Sequence, residues 1–401
     1  MFGNPTAHPT VVPRDPERLD RLQTAMQEAR LDALVCSLPQ NILLLTGYYP
    51  VIGTSVAVMT SDRYVTLLAP EDEMNLADCD GADDVIAFHP GSLDCITNAT
   101  QAIRNPLSQV IRGKARVGYE DGPAFQPASY ISMHLYGCAM PELLEGCSLE
   151  PAGDLLARMK AVLTSIELDR LRRACRIAQC AFQEGAGALC PGRKETAVAA
   201  TFRVPLSVVG TGYEGVSRAD GAVFCMSGPN SAKAFAAYAR SRARELEIGD
   251  FAMVHCNSHA DGYWTDITRT YCLKVLSDRQ CKIYNLIFDA AKAAFEAVRP
   301  GARAAEVDRA AREVLRQAGC AEAFKHGTGH GVGFEGISHN ALPRIHPASR
   351  DLLECGMVFN VEPALYFDGY GGARHCDMIA VTETGAELLT PFQQTIEELT
   401  R

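Results

Sequence analysis

The stretch Thr164-Ser165-Ile166-Glu167 divides this chain into two regions of different pattern. Thr followed three residues later by Glu is the signature of a capping box, in which the threonine oxygen and the glutamate carboxylate satisfy free amides at a helix start. The spacing predicts a long helix from there to about Leu189. Before it, helix-like and strand-like segments alternate. Asp15-Pro16 opens a helix with an acidic cap, and Leu19, Leu22 and Met26 recur at helical spacing. Strand-like runs follow at Ala33–Cys36, Ser55–Met59, Tyr64–Leu68, Asp84–Phe88 and Arg116–Tyr119, with amphipathic stretches such as Ser129–Leu135 between them. A chain of 401 residues exceeds the size at which one core keeps growing. We therefore expect a small α/β domain over 1–155, its last element ending near Pro151, and a second domain over 156–401.

Composition excludes several function classes. Hydrophobic residues make up 47% and charged residues 21%, the balance of a folded globular protein. The formal net charge is −10 with no block of lysine or arginine, which argues against nucleic acid or an anionic membrane as the main partner. The first residues lack a basic region followed by an apolar run, and no window approaches the roughly twenty apolar residues that span a bilayer. Fifteen cysteines are scattered singly and never form CxxC. They read as reduced thiols packed as small hydrophobes, as expected of a cytoplasmic protein.

The second region has an α+β pattern. Phe251–Asn257 and Tyr263–Leu273 flank Ala260-Asp261-Gly262 and read as an antiparallel hairpin. Met357–Tyr366 and Ala373–Thr382 read as a second strand pair around Gly369–Gly372. Helices are expected at Asp278–Val298 and Ala305–Gln317, closed by Gly301 and Gly319. Ligand-type residues concentrate in His255–Asp266, His326–His339, Asn360–Pro363 and Arg374–Asp377. Alternate strand residues share a face, so His255 goes with Met253 and Asn257, Asp266 with Thr268 and Thr270, and Arg374 with Cys376. The glycine-rich run from His326 through His330 to Gly333 can bring its backbone and imidazoles close to a site.

DGYWTDITRT (Asp261–Thr270), HGTGHGVGF (His326–Phe334), GMVFNVEPALY (Gly356–Tyr366) and AVTETGAELLT (Ala380–Thr390) together resemble the creatinase/prolidase/methionine aminopeptidase family. Within it the chain is most similar to the two-domain Xaa-Pro peptidase branch. The resemblance implies a pita-bread catalytic domain preceded by a creatinase-like accessory domain. It also implies five ligands for two divalent ions, in the order Asp, Asp, His, Glu, Glu. Asp266, His330 and Glu362 match the second, third and fourth. His255 stands where the first Asp belongs, and Cys376 where the last Glu belongs. The three retained residues cluster on one ion of the family's pair, so we expect one divalent metal, with His255 and Cys376 as further candidate ligands. Imidazole and thiolate favour zinc or iron over manganese. His326 matches a pocket histidine, and His339 is a candidate proton donor or oxyanion stabiliser, two residues beyond the family's position at Ile337. Arg374 matches an arginine beside the bridging carboxylate, and His346 reads as a loop residue. The family's histidine after a motif like Ser227-Gly228-Pro229-Asn230 is missing, and Ala234, Phe235 and Tyr238 stand nearby instead.

The resemblance thus implies a metal-dependent hydrolase of a C–N bond in a small peptide or amide, with Glu362 as ligand and base. An alternative is a creatinase-like hydrolase without metal, acting on a small nitrogenous metabolite with His255 or His330 as base. A third is a non-catalytic binding relative. Homodimerisation is expected by family analogy alone.

Overall fold

The computed structural model describes residues 14–51, 54–77, 81–96, 98–121, 140–235, 239–336 and 338–401. The expected amphipathic stretch Ser129–Leu135, together with Tyr238 and Ile337, lies outside the described residues. The chain forms two compact units, one ending at Lys160 and one running from Ala161 to Arg401. The division falls slightly later than the expected boundary at 155, because the helix that follows the last strand of the first unit packs with that unit.

In the first unit α1 (Pro16–Glu28) starts where the Asp15 carboxylate accepts from the Arg18 backbone N–H, and it buries Leu19, Leu22 and Met26. There follow β1 (Ala33–Cys36), α2 (Pro39–Thr46), β2 (Val56–Thr60), β3 (Val65–Pro70), α3 (Met74–Ala77), β4 (Asp84–Phe88), α4 (Ala99–Val110), β5 (Arg116–Tyr119), α5 (Met140–Leu143), β6 (Ser148–Pro151) and α6 (Gly153–Ala161). The six strands make one mixed sheet in the order β4-β3-β2-β1-β5-β6. Beyond β5, the buried Glu120 carboxylate accepts from Ser37 N, Ser37 Oγ, Leu38 N and Asn41 Nδ2, each at 2.9 Å. The negative charge thus sits at the N-terminus of α2, where the helix dipole favours it.

The second unit opens with α7 (Ser165–Gly185), and both halves of the Thr164–Glu167 capping box are made. The helix stops at Gly185, short of the expected Leu189, and tightens into a 3₁₀ turn over Ala186–Ala188. Then come α8 (Glu195–Val208), β7 (Ala219–Ser227), β8 (Phe251–Ala260), β9 (Tyr263–Cys272), α9 (Asp278–Ala297), α10 (Ala304–Gln317), β10 (Val358–Val361), β11 (Ala364–Phe367), β12 (Gly371–Arg374), β13 (Asp377–Val381) and β14 (Ala386–Leu388). β8 and β9 pair along their whole length through the turn Asp261-Gly262, whose φ values of 47° and 85° are those of a type I′ hairpin. Trp264 lies in β9 at 6% exposure, and a Cβ on Gly336 would come within 2.6 Å of its indole, so the chain beyond His330 lies flat on that ring.

The expected second strand pair is two pairs. Met357–Tyr366 breaks at Glu362-Pro363, and Ala373–Thr382 breaks at His375-Cys376. β10 then pairs with β13, while β11 pairs with β12 in a separate ribbon. Pro363 has no N–H to give a ladder, which suits it to this joint. Both breaks hold residues singled out for chemistry. No helix among the described residues is long and apolar enough to cross a membrane.

Replacing Glu120 with Ala leaves several buried donors without an acceptor. We expect the first unit to lose about 2–4 kcal/mol, measured by urea unfolding followed by circular dichroism.

Candidate active site

The hairpin register places Asn257 opposite Asp266 and His255 opposite Thr268. His255 Nδ1 lies 2.9 Å from Thr268 Oγ1 and 3.6 Å from Asp266 Oδ1. Thr268 Oγ1 accepts from Arg374 Nε at 3.1 Å, which leaves its own hydrogen for His255 Nδ1. The Asn257 side chain also bonds the imidazole. Burial, reinforced by Arg374, holds His255 down at about 4 and therefore neutral at pH 7.

His330 comes from the glycine-rich loop. A Cβ on Gly329 would fall 1.9 Å from the Asn360 carbonyl oxygen and one on Gly331 2.0 Å from that of Leu342, so glycine alone lets the loop close on β10. The His330 backbone N–H donates to Asn360 Oδ1 at 2.7 Å, and its Nδ1 donates to the Gly331 carbonyl at 3.0 Å. Nε2 is thereby turned to Asp266 Oδ2, 3.5 Å away. The buried Asp308 on α10 accepts from Thr328 N at 3.0 Å and Thr328 Oγ1 at 2.8 Å, fixing the loop from behind.

The two carboxylates of the centre titrate in opposite directions. Burial alone would raise Asp266, but His255, His330 and Arg374 outweigh it and hold the group below the usual carboxylate range. Burial, helped by Asp266 and only partly opposed by Arg374, pushes Glu362 up to about 7. For His330 burial opposes protonation, and the Asp266 carboxylate prevails, so its pKa rises. Arg374 is 6% exposed, with Nη1 3.6 Å from Glu362 Oε2. Its ion pair is with Glu362. Cys376 is fully buried and its Sγ donates to the Asp266 carbonyl at 3.2 Å; burial and the two carboxylates push the thiol well up, so it carries its proton. Behind this layer Asp377 accepts from Arg269 Nη2 at 2.6 Å and from His375 Nε2 at 2.8 Å, clamping β13 to β9.

His326 is placed less simply than the sequence suggests. Its Nδ1 donates to the Gly327 carbonyl at 2.7 Å, and burial together with Arg374 holds it down at about 3. Nε2 therefore accepts from the Tyr366 hydroxyl at 3.0 Å and has no proton to offer. It lines the cavity, as a pocket histidine would, and cannot act there as a proton donor. Tyr366, within the quoted GMVFNVEPALY run, was not singled out as functional; only its position four residues after Glu362 could have marked it. His339 is exposed, with its ring 5.2 Å from that of His330. A cavity of about 520 Å³ is lined by His326, His339, Arg344, His346, Arg350 and Glu362. His346 is indeed on an exposed loop, and Arg350 makes no ion pair among the described residues. Phe235 stands against Tyr366, ring centroids 5.1 Å apart.

Asp266, Glu362 and His330 are donors of the types that bind divalent ions, but as placed here they do not form a group of three able to hold one. Asp266 and His330 already face each other, while Glu362 is drawn to Arg374. Among the described residues no group of three or more His, Cys, Asp or Glu side chains stands as a finished cage.

A hairpin, a glycine-closed loop and two strand joints converge on the buried carboxylates Asp266 and Glu362. Residues 169–383 match the family model described as metallopeptidase family M24, and residues 18–162 match the creatinase/prolidase N-terminal domain. The chain belongs to metallopeptidase family M24. It is 26% identical to a Xaa-Pro dipeptidase of Pyrococcus furiosus over 94% of this chain and 99% of that one. It is 38% identical to a probable dipeptidase, PepE, of Mycobacterium tuberculosis over 59% of this chain and 60% of the relative. A solved dipeptidase from Pyrococcus horikoshii superposes with TM-score 0.76 at 28% identity, covering 96% of this chain and 99% of that one.

Zinc affinity of the metal-free protein should rise with pH and level off above about 7, since the protons on Glu362 and His330 must leave before either can ligate. Calorimetric titrations with zinc between pH 5.5 and 8 test this, and Glu362→Gln should weaken binding and flatten the dependence.

Proposed function

We propose that this chain is a metal-dependent dipeptidase-like hydrolase whose centre takes one divalent ion at Asp266, His330 and Glu362. The observation that carries this reading is the pairing of Asp266 with His330 Nε2, in a family of metallopeptidases, with the third donor Glu362 at the wall of a cavity of about 520 Å³. The names of its dipeptidase relatives support a dipeptide as substrate. A bound ion supplies Lewis-acid polarisation of the scissile carbonyl and lowers the pKa of water.

The side chains supply the rest. Arg350, unpaired at the cavity wall, offers a cation to the free carboxylate of a short peptide. Glu362, poised near neutrality, can accept the proton of the attacking water and return it to the leaving nitrogen. His339, exposed beside His330, can donate to the developing oxyanion. Phe235 presents an aromatic surface beside Tyr366, in the stretch that lacks the histidine expected from the resemblance, which argues for a broader preference than proline.

His255 and Cys376 support a single ion. With His255 Nδ1 held by Thr268 and Cys376 protonated toward a carbonyl, neither is poised as a carboxylate ligand would be. The preference for zinc or iron rested on those two, and the remaining oxygen-rich set also suits manganese. One observation favours the metal-free alternative: the buried Arg374 guanidinium already sets a cation among the carboxylates.

Protein purified without chelator should carry about one divalent ion per chain by elemental analysis, and a count near two would remove the single-ion reading. Hydrolysis of dipeptides should disappear on exhaustive chelation and return with metal. Full activity after chelation would move the assignment to the metal-free enzyme. The double variant His255→Asp, Cys376→Glu should raise the ion count toward about two, by restoring two hard carboxylate ligands.

A further inference from the structure

Beside α10 lies a second cavity, about 410 Å³, that shares its surroundings with the catalytic one. Pro347 lines it, whereas the adjoining His346 and Ala348 line the catalytic cavity, so one loop serves both. The second link is the Asp308–Arg312 pair, which also lines this cavity. Arg312 Nε donates to Asp308 Oδ2 at 2.7 Å, its guanidinium stacks 4.4 Å from the Phe324 ring centre, and its Nη2 donates to the His326 carbonyl. Asp308 in turn holds Thr328 by two hydrogen bonds. The inner wall of this cavity is therefore hydrogen-bonded to the loop that carries His326 and His330.

The lining also states what would bind. Leu315, Ala321, Phe324 and Pro347 give an apolar body, and the charges are unequal. Three arginines face two carboxylates. Asp308 is committed to Arg312, and Glu313 to Arg316 at 2.6 Å. Arg309, itself exposed, has a 3.8 Å ion pair with the half-buried Glu306, which lies outside the cavity lining. Counted over the lining residues alone, one positive charge is in excess beside an apolar surface, and its ion pair is the longest of the three. We propose that this cavity is an effector site for a small monocarboxylate with an apolar body, seated with its carboxylate on Arg309 and coupled to the active-site loop through the Asp308–Arg312 strut. The proposal does not depend on the reaction assigned to the catalytic cavity.

The test uses the full chain with 3-phenylpropionate as probe. Ligand-observed NMR and calorimetry should give saturable binding with a dissociation constant on the order of 1 mM, which the per-atom affinity of so small a ligand allows. In protein labelled at histidine, the His326 ring resonance should move along the same binding curve. Arg309→Glu should weaken binding at least about tenfold and Arg309→Lys much less, as expected for one charge-assisted contact. Ala321→Trp, which fills the cavity, should abolish both binding and the His326 shift, while Arg350→Ala should change neither. No saturable binding, or binding that survives Arg309→Glu and Ala321→Trp, would overturn the site. Binding that leaves His326 unmoved would overturn the coupling.

Discussion

Asp266 is a carboxylate at 2% exposure on a central strand, and a charge in that position must be answered by its neighbours or given up as a proton. The surrounding structure does the answering. His255 and His330 approach its two oxygens from different elements, Arg374 adds positive charge, and the Cys376 thiol caps its carbonyl. Those groups come from β8, the glycine loop and the second strand joint. The hairpin register, the absence of Cβ atoms at Gly329 and Gly331, and the clamp of Arg269 on Asp377 all serve to bring them to one carboxylate.

The two altered positions change the character of this centre. A carboxylate at 255 would add a second negative charge beside Asp266, and one at 376 a third near Glu362. The chain instead has a neutral imidazole tied into a Thr268–Arg374 chain of hydrogen bonds and a thiol that keeps its proton. Arg374 can then balance the negative charge that remains without a second ion. Burial, reinforced by the same guanidinium, lowers the proton affinity of His255 and His326, so that both imidazoles stay neutral near the ionised Asp266.

The hairpin was legible because Asp261-Gly262 allows a type I′ turn and alternation fixes which side chains share a face. The cap at Thr164 was legible for the same local reason. The candidate ligands Asp266, His330 and Glu362 could be named because the resemblance carries them over position by position. Strand continuity could not: the alternation of Met357–Tyr366 runs unbroken through Glu362, and only the missing N–H of Pro363 marks the joint at which the chain changes sheets. The pairing of His326 with Tyr366 escaped because it depends on which tautomer the Gly327 carbonyl selects. The Arg312–His326 link escaped because it joins a helix surface to a loop carbonyl, and no side-chain pattern records an acceptor on the backbone.

Trp264 is the chain's one tryptophan, and it stands two residues before Asp266 on the same strand. Its indole is covered by Gly336 from the loop beyond His330 and lies 4.7 Å from the ring of His259 on β8. The protein therefore carries a single native fluorophore at the point where the hairpin and the histidine loop meet. Its emission reports the closure of that loop without a label, and no second indole dilutes the signal.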